Sequence, residues 1–294
     1  MERKLWIYDS FTNEKFKGNP AGVVLDGKGL EEEQMQLIAR ELGYPETVFI
    51  FKDSSKIKVR FFTPKEEIDL CGHATIAYGT ALVESGMIDV NEGENRIDIE
   101  TNLGILPIII TIENKKVKNI MMYQASPKLS KDFILDRERL AKSLNISKDD
   151  FREDIDIVKA YTGVWDLMIP LKSKEALDNI DGNMNLIKEL SRELGIISLH
   201  PFYLAENKQL YARNLAPIVD IDEEAATGTS NGALTYYLYS LGIVSDREEI
   251  SVIQGEQMGR KSEIRGKIQI ENGEIKVLIG GTALKIIEGV LLNQ

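Results

Sequence analysis

Glu46 and His73 are the two side chains of this chain best suited by type and setting to proton chemistry. Glu46 stands in Tyr44-Pro45-Glu46-Thr47-Val48-Phe49, just past Gly43, which ends a helical period, and at the mouth of an apolar strand. A carboxylate there can be partly buried, which raises its pKa and suits it to general acid–base work. The plainer reading is a solvated loop acid. His73 lies in Asp69-Leu-Cys-Gly-His-Ala-Thr-Ile-Ala77, which reads as a strand end, a tight turn at Gly72 and the start of an amphipathic helix. The first N–H groups of a helix lack intrahelical partners, so Gly72 and His73 occupy a ready anion site. His73 either contacts a bound carboxylate there or is a surface residue at the helix start. Cys71 reads as a small buried residue at a strand end. As a nucleophile it would need a base, and His73 is two residues on.

The frame around these residues occurs twice. Phe49, Arg60 and Pro64 recur at one constant offset as Phe202, Arg213 and Pro217. Each set lies in a hairpin pattern with a polar turn, Asp53-Ser54-Ser55 or Glu206-Asn207-Lys208. Arg40-Glu-Leu-Gly43 returns as Arg192-Glu-Leu-Gly195, each a helix end with Gly just past it. Gly72-His-Ala-Thr75 is answered by Gly228-Thr-Ser-Asn231, each opening a helix that ends near Gly86 or Gly242. Two structurally similar halves follow. The glycines Gly72 and Gly228 are either turn residues needing positive φ or the two sides of an anion clamp. At the common offset Glu46 maps to Leu199, so the acid is present in one copy only. Glu223 and Glu224 precede the second turn, where one of them could accept a hydrogen bond from an amine or hydroxyl.

Composition narrows the functional class. With 47 acidic against 36 basic residues, a net charge of −11 disfavours a nucleic-acid partner and leaves a cationic membrane helix unsupported. The single Cys71 excludes an intrachain disulfide and a Cys-built zinc site. The two histidines, His73 and His200, are not paired with carboxylates by any sequence motif, so no metal is expected. No glycine-rich phosphate loop has the right context, so no cofactor is expected either. Asp9 interrupts the N-terminal apolar run, and the run from Ile105 to Ile110 is too short to span a bilayer. A soluble cytoplasmic protein is the expectation.

These residues need strands and helices to position them. Period and punctuation predict strands at Leu5–Tyr8, Val23–Leu25, Ile97–Glu100, Ile105–Ile112, Val117–Tyr123, Val158–Tyr161, Leu167–Leu171, Ile250–Ile253, Ile264–Glu271 and Glu274–Gly280. Helices are predicted at Leu30–Leu42, within Lys131–Leu144 and at Met184–Leu194, giving about two helices per half. Strands outnumber helices without regular βαβ alternation, which is α+β with mixed sheets. The change-over between halves is placed near Asn114–Asn119, giving domains 1–118 with 282–294 and 119–281.

The chain resembles the PhzF-like isomerase family of the diaminopimelate-epimerase-like fold. The resemblance rests on Asp9-Ser-Phe-Thr12 with Phe16-Lys-Gly-Asn-Pro-Ala-Gly22, Pro45-Glu-Thr-Val-Phe49, Arg60-Phe-Phe-Thr-Pro64 with Asp69-Leu-Cys-Gly-His-Ala-Thr75, Arg213 to Pro217, Ala226-Thr-Gly-Thr229 and Gln254-Gly-Glu-Gln-Met-Gly-Arg260. It implies two similar domains, each a curled mixed sheet around a central helix, with the active site in the cleft. It also implies that Glu46 shuttles a proton, that Gly72, His73, Gly228 and Thr229 bind substrate, that Asn19 lines the site, and that the protein is a homodimer acting on a small anionic metabolite. Where the family has Glu-Asp-Pro-Ala-Thr-Gly-Ser, this chain has Glu223-Glu-Ala-Ala-Thr-Gly-Thr229. Glu224 thus carries a carboxylate longer by one methylene into a tight site. The resemblance implies an activity similar to that of trans-2,3-dihydro-3-hydroxyanthranilate isomerase, with the substrate itself left open by this departure.

Three functions compete on the sequence. The first is a cofactor-independent isomerase moving a proton on a carboxylate-bearing metabolite. The second is an amino-acid racemase or epimerase of the same fold, whose paired cysteines would here be Cys71 and Thr227, a broken pair. The third is a ligand-binding protein without catalysis.

Overall fold

The computed structural model describes residues 3–54 and 56–292. The chain divides into two compact units, Met1–Tyr123 with Gly280–Gln294, and Gln124–Ile279. In chain order unit 1 holds β1 (Arg3–Ser10), β2 (Asn19–Val24), α1 (Glu32–Leu42), β3 (Glu46–Asp53), β4 (Lys56–Phe62), β5 (Glu67–Ile68), α2 (Gly72–Glu84), β6 (Gly93–Thr101), β7 (Gly104–Glu113) and β8 (Lys116–Tyr123). Unit 2 follows with β9 (Lys128–Ser130), α3 (Arg137–Leu144), β10 (Val158–Tyr161), β11 (Trp165–Pro170), α4 (Lys174–Asp178), α5 (Met184–Leu194), β12 (Ser198–Leu204), β13 (Leu210–Ala212), α6 (Gly228–Ser240), β14 (Glu249–Gln254) and β15 (Ser262–Glu271). Strand β16 (Glu274–Gly281) ends at the return to unit 1, where β17 (Ala283–Leu291) pairs with β1.

The two units share one topology. In unit 1 the pairing order is β17-β1-β2-β3-β4-β6-β7-β8, antiparallel except for β2 with β3 and β4 with β6. In unit 2 it is β9-β10-β11-β12-β13-β14-β15, antiparallel except for β11 with β12 and β13 with β14. The parallel pairs match one to one. A helical crossover joins the first of each, α1 in unit 1 and α4 with α5 in unit 2, as parallel neighbours require. Helices α1 and α5 end alike, on Gly43 and Gly195 in the left-handed region at φ 67° and 64°. The repeated arginines also behave alike. Arg60 makes a two-pronged pair with Glu67, at 2.6 and 2.5 Å, and Arg213 does the same with Glu223, at 2.9 and 2.8 Å. Each fork ties the hairpin to the segment that leads into the next helix.

The expected amphipathic helix after Gly72 is instead a central one. Residues 73–82 of α2 are all buried, so no polar face remains. The helix packs against β1, β2, β3, β8 and β17, which curl around it. Helix α6 is the counterpart in unit 2, against β10, β11 and β15. Neither Gly72 nor Gly228 has positive φ. Each is simply the first residue of its helix, and the turn is made by the extended N-cap residue before it.

Other sequence-based expectations are refined. Unit 2 has four α-helices rather than two, because α3, α4 and α5 bury a second core of its own around Leu140, Leu167 and Leu199. Asn114–Asn119 forms the β7–β8 hairpin turn and the start of β8, and the division between units follows Tyr123. Ser55, expected in the first hairpin turn, lies outside the described residues.

Close helix-to-sheet approach is the constraint that these curled units place on sequence. A Cβ added to Gly266 on β15 would stand 2.2 Å from Thr235 Oγ1 and 3.2 Å from Thr235 Cβ and Cγ2 on α6. Thr235 Oγ1 is held by its hydrogen bond to the Asn231 carbonyl, 2.7 Å. Gly266→Ala should therefore destabilise the protein by about 1–3 kcal/mol, and Thr235→Ala in the same chain should recover part of the loss. Denaturant titration of the four proteins of this cycle checks it; a strictly additive cycle would contradict the contact.

Candidate active site

The site in unit 1 is built where β3 begins and α2 begins. Glu46 is the first residue of β3 and stands opposite Ala21 of β2. His73 is the second residue of α2, and only 4% of its side chain is exposed. The two side chains meet, with His73 Nε2 2.7 Å from Glu46 Oε2. His73 is thus not a surface residue, and Glu46, 16% exposed, is not a solvated loop acid. The pairing of a histidine with a carboxylate, which no sequence motif signalled, is made by tertiary structure.

Neighbouring elements fix the imidazole. Ser10, at the end of β1, donates its hydroxyl to the His73 carbonyl, 2.7 Å. Asn19, at the start of β2, places Nδ2 3.2 Å from His73 Nδ1. Cys71, the N-cap of α2, has its sulfur 3.3 Å from the same nitrogen. An amide nitrogen against Nδ1 suits a neutral ring. The imidazolium, with N–H donors at both positions, needs the amide turned so that its oxygen faces Nδ1.

The electrostatics of the pair correct one expectation. Burial alone pushes the Glu46 carboxyl up, but the charge and hydrogen bond of His73, with a hydrogen bond from Cys71, bring it below its ordinary value. Burial likewise opposes the charged imidazole, and Cys71 and Glu46 beside the ring, Cys71 first, outweigh it, so His73 titrates well above its ordinary value. Burial and the Glu46 charge raise the Cys71 thiol. These directions favour a carboxylate–imidazolium pair.

Glu46, His73, Gly72 and Asn19 are thus brought together in unit 1. The other expected residues, Glu224, Gly228 and Thr229, gather in unit 2 at the start of α6. Thr227 is the N-cap of α6, and its hydroxyl donates to Glu224 Oε2 at 2.7 Å. Thr162, near the end of β10, donates to the Thr229 carbonyl at 2.7 Å, as Ser10 does to His73. Neither α2 nor α6 has a side-chain cap, and neither has an acidic residue in its first turn. Helices α3, α4 and α5, by contrast, are capped by Asp136, Ser173 and Asn183. Neither central helix thus has an oxygen cap on its first-turn N–H groups, which is what an anion site requires, although in α2 the Ala74 N–H meets the Cys71 sulfur.

Sequence reasoning missed the residues that hold these helix starts. Asp166 in β11 is fully buried and accepts from Ser198 at 2.7 Å and from Ser230 at 2.8 Å. Burial pushes its carboxyl up to about 7. Asn214 Nδ2 lies 2.9 Å from Ser198 Oγ and 2.8 Å from Ser230 Oγ. The available signal was an acid inside the apolar run Trp165–Pro170. Ser10 and Thr162 carried none, because a serine or threonine at a strand end is common.

Comparisons with known proteins agree with this architecture. The family model for phenazine biosynthesis-like proteins, PhzC-PhzF, matches residues 8–289. An uncharacterised isomerase of Bacillus subtilis, YfhB, is 36% identical over 288 residues, covering 96% of each chain. The crystal structure of a Bacillus anthracis phenazine biosynthesis protein of the PhzF family superposes with a TM-score of 0.88 at 31% identity, covering 100% of both chains. A hydroxyproline epimerase from Agrobacterium vitis, 14% identical, shares the fold at a TM-score of 0.64, covering 99% of this chain and 92% of its own. Two similar α+β halves of the epimerase kind, each with a central helix, and a match across nearly the whole sequence make this chain a member of the PhzC-PhzF, phenazine biosynthesis-like family.

Proposed function

We propose that this protein is an isomerase that moves a proton between two atoms of a small carboxylate-bearing metabolite, with Glu46 as the acid–base group and no cofactor. The observation that carries this reading is the enclosed Glu46–His73 contact of 2.7 Å. Its family relatives carry the name isomerase.

The chemistry follows from where charge moves. Glu46, as a carboxylate, accepts a proton from a carbon next to the substrate's activating group. Its negative charge passes to that carbon skeleton as an enolate-like species. His73 stays positive throughout, and only the anion beside it changes. A fixed cation in a water-poor site stabilises developing charge without reorganising. Glu46 then returns the proton to a second atom, which completes an isomerisation with no net change in the protein. Asn19 holds the ring, and the first N–H groups of α2 at Gly72 and His73 offer a seat for a substrate anion. We assign Glu224, Gly228 and Thr229 substrate-binding roles on the equivalent features of unit 2, an uncapped helix start with a carboxylate bonded to its N-cap.

A two-cysteine racemase is the weaker alternative. Cys71 and Thr227 hold the same N-cap position in their units, so the second thiol of such a pair is missing. Thr227 donates its proton to Glu224, and a hydroxyl of ordinary acidity is no substitute for a thiolate.

Thermal-shift screening of small carboxylates should find ligands, since 100 times the dissociation constant adds about 2.7 kcal/mol. With a turned-over ligand in deuterated water, the wild-type protein should incorporate deuterium at carbon. Glu46→Gln should bind that ligand and lose about 10²- to 10⁴-fold in exchange rate, with KM little changed. Exchange at the wild-type rate in Glu46→Gln would sink the assignment.

The pair should also leave a mark on stability. The raised His73 contributes fully below about pH 6.5, its unfolded value, and its contribution is lost as pH rises through its folded value. The lowered Glu46 contributes above about pH 4.3 and is lost as pH falls through its folded value. The stability gap between the wild type and the double variant Glu46→Gln/His73→Gln should therefore be widest between these values and narrow on both sides. Urea unfolding across that range measures it; a gap that widens steadily above neutrality would mean His73 folds as a neutral ring.

A further inference from the structure

A chain of buried polar side chains in unit 2 leads to Glu224. His200 on β12, Asn231 on α6 and Gln254 at the end of β14 are all buried, none more than 1% exposed. Asn231 Nδ2 donates to the Thr227 carbonyl at 2.8 Å and to Gln254 Oε1 at 2.7 Å. Gln254 Nε2 donates to the Glu224 carbonyl at 2.7 Å and to Thr227 Oγ1 at 3.2 Å. Thr227 in turn donates its hydroxyl to Glu224 Oε2 at 2.7 Å.

Chemistry fixes the direction of these bonds. A side-chain amide can be turned end for end, but a backbone carbonyl only accepts. The Thr227 carbonyl therefore sets the nitrogen of Asn231, and the Glu224 carbonyl sets that of Gln254. The Thr227 hydroxyl accepts from Gln254, and its one proton goes to Glu224. Asn214 fixes the other end. Ser198 and Ser230 give their protons to Asp166, so both accept from Asn214 Nδ2. That nitrogen lies 3.1 Å from His200 Nδ1, which must then be an acceptor. Burial lowers His200 to about 3, against the effect of a hydrogen bond to Asn231, so the ring is neutral and carries its proton on Nε2. Asn231 Oδ1 is the acceptor that faces it. No well-aligned hydrogen bond engages His200 Nε2 or Asn231 Oδ1 among the described residues, so this link is the loosest of the chain.

The consequence falls on the start of α6. A threonine at an N-cap ordinarily accepts from first-turn N–H groups. Thr227 makes no such bond, because its hydroxyl is committed between Gln254 and Glu224. We propose that Gln254, with Asn231 and His200 behind it, is a positioning residue that holds the Thr227 hydroxyl on Glu224 and off the helix. The chain keeps the Glu224 carboxylate in one place and the N–H groups of the α6 first turn uncapped by Thr227. That these groups serve substrate binding rests on the function proposed above; the chain itself is tested without any substrate.

Nitrogen-15 and carbon-13 NMR of the labelled full chain reads it link by link. In the unaltered protein His200 should carry its proton on Nε2, with Nδ1 unprotonated. Gln254→Met keeps the length of the side chain and removes its donors. The Thr227 hydroxyl proton should then exchange with water at least about tenfold faster, and the Glu224 carboxyl carbon should shift. Thr227→Val should shift that carbon as well, whereas Thr227→Ser, which keeps the hydroxyl, should leave it at the wild-type position. Thr227 is half-buried, so its variants report even where Gln254→Met does not fold. An Nδ1–H tautomer of His200, a Glu224 carbon unmoved in Thr227→Val, or wild-type hydroxyl exchange in a folded Gln254→Met would each overturn the proposal. Any of these can occur while Glu46→Gln still loses deuterium exchange, so a failure of this chain is distinct from a failure of the isomerase assignment.

Discussion

A charged pair enclosed where a strand and a helix both begin is the constraint around which unit 1 is arranged. Taking an imidazolium and a carboxylate out of water costs several kcal/mol per ion, and only close pairing with further hydrogen bonds offsets it. The 2.7 Å contact between His73 and Glu46 meets the first condition. Cys71, 3.3 Å from Nδ1, and Asn19, with its amide oxygen turned to that nitrogen, meet the second, while Ser10 holds the backbone that carries the ring; each comes from a different element or its edge. The first turn of α2, the end of β1 and the start of β2 must therefore converge. The buried central helix and the curled sheet are what allow it.

The duplicated frame explains how one such site is made without two. Both units use an arginine–glutamate fork to secure the segment before the central helix. Both use a strand-end hydroxyl to hold the second carbonyl of that helix, Ser10 in one and Thr162 in the other. Beyond the frame they diverge. Where unit 1 has Glu46 and His73, unit 2 has Leu199 and Thr229 at the corresponding places. Its polar interior lies elsewhere, in the Asp166–Ser198–Ser230–Asn214 network beneath α6. The symmetry thus lies in the backbone and its anchors, and the chemistry in the side chains that break it.

Much of this was legible in the residues themselves. The repeat was visible because arginines, glycines and prolines mark fixed backbone events, and those events recur in both units. Helix α5 was readable to the residue because its apolar spacing ends on Gly195. Helix α2 was mistaken for an amphipathic one because a fully enclosed helix has no polar face to give a period. The extra helices of unit 2 escaped notice because they bury a local core that the repeat does not contain. Glu46 and His73 were each identified as candidates, but their contact was not, since residues 27 positions apart share no local pattern; the same separation led to the wrong direction for the Glu46 titration. Burial was inferred correctly, and the cation that outweighs it could come only from the fold.

The proposed chemistry turns on the charge state of His73, which nitrogen-15 NMR of the imidazole rings reads out. The chain has two histidines, which makes the spectrum simple to assign. Burial lowers His200 to about 3, so it supplies a neutral ring as an internal standard. At neutral pH both His73 nitrogens should resonate as protonated, with the Glu46 carboxyl carbon at its ionised position, and Glu46→Gln should convert His73 to a neutral ring. A neutral His73 in the unaltered protein, with one nitrogen unprotonated beside an intact Glu46, would contradict it.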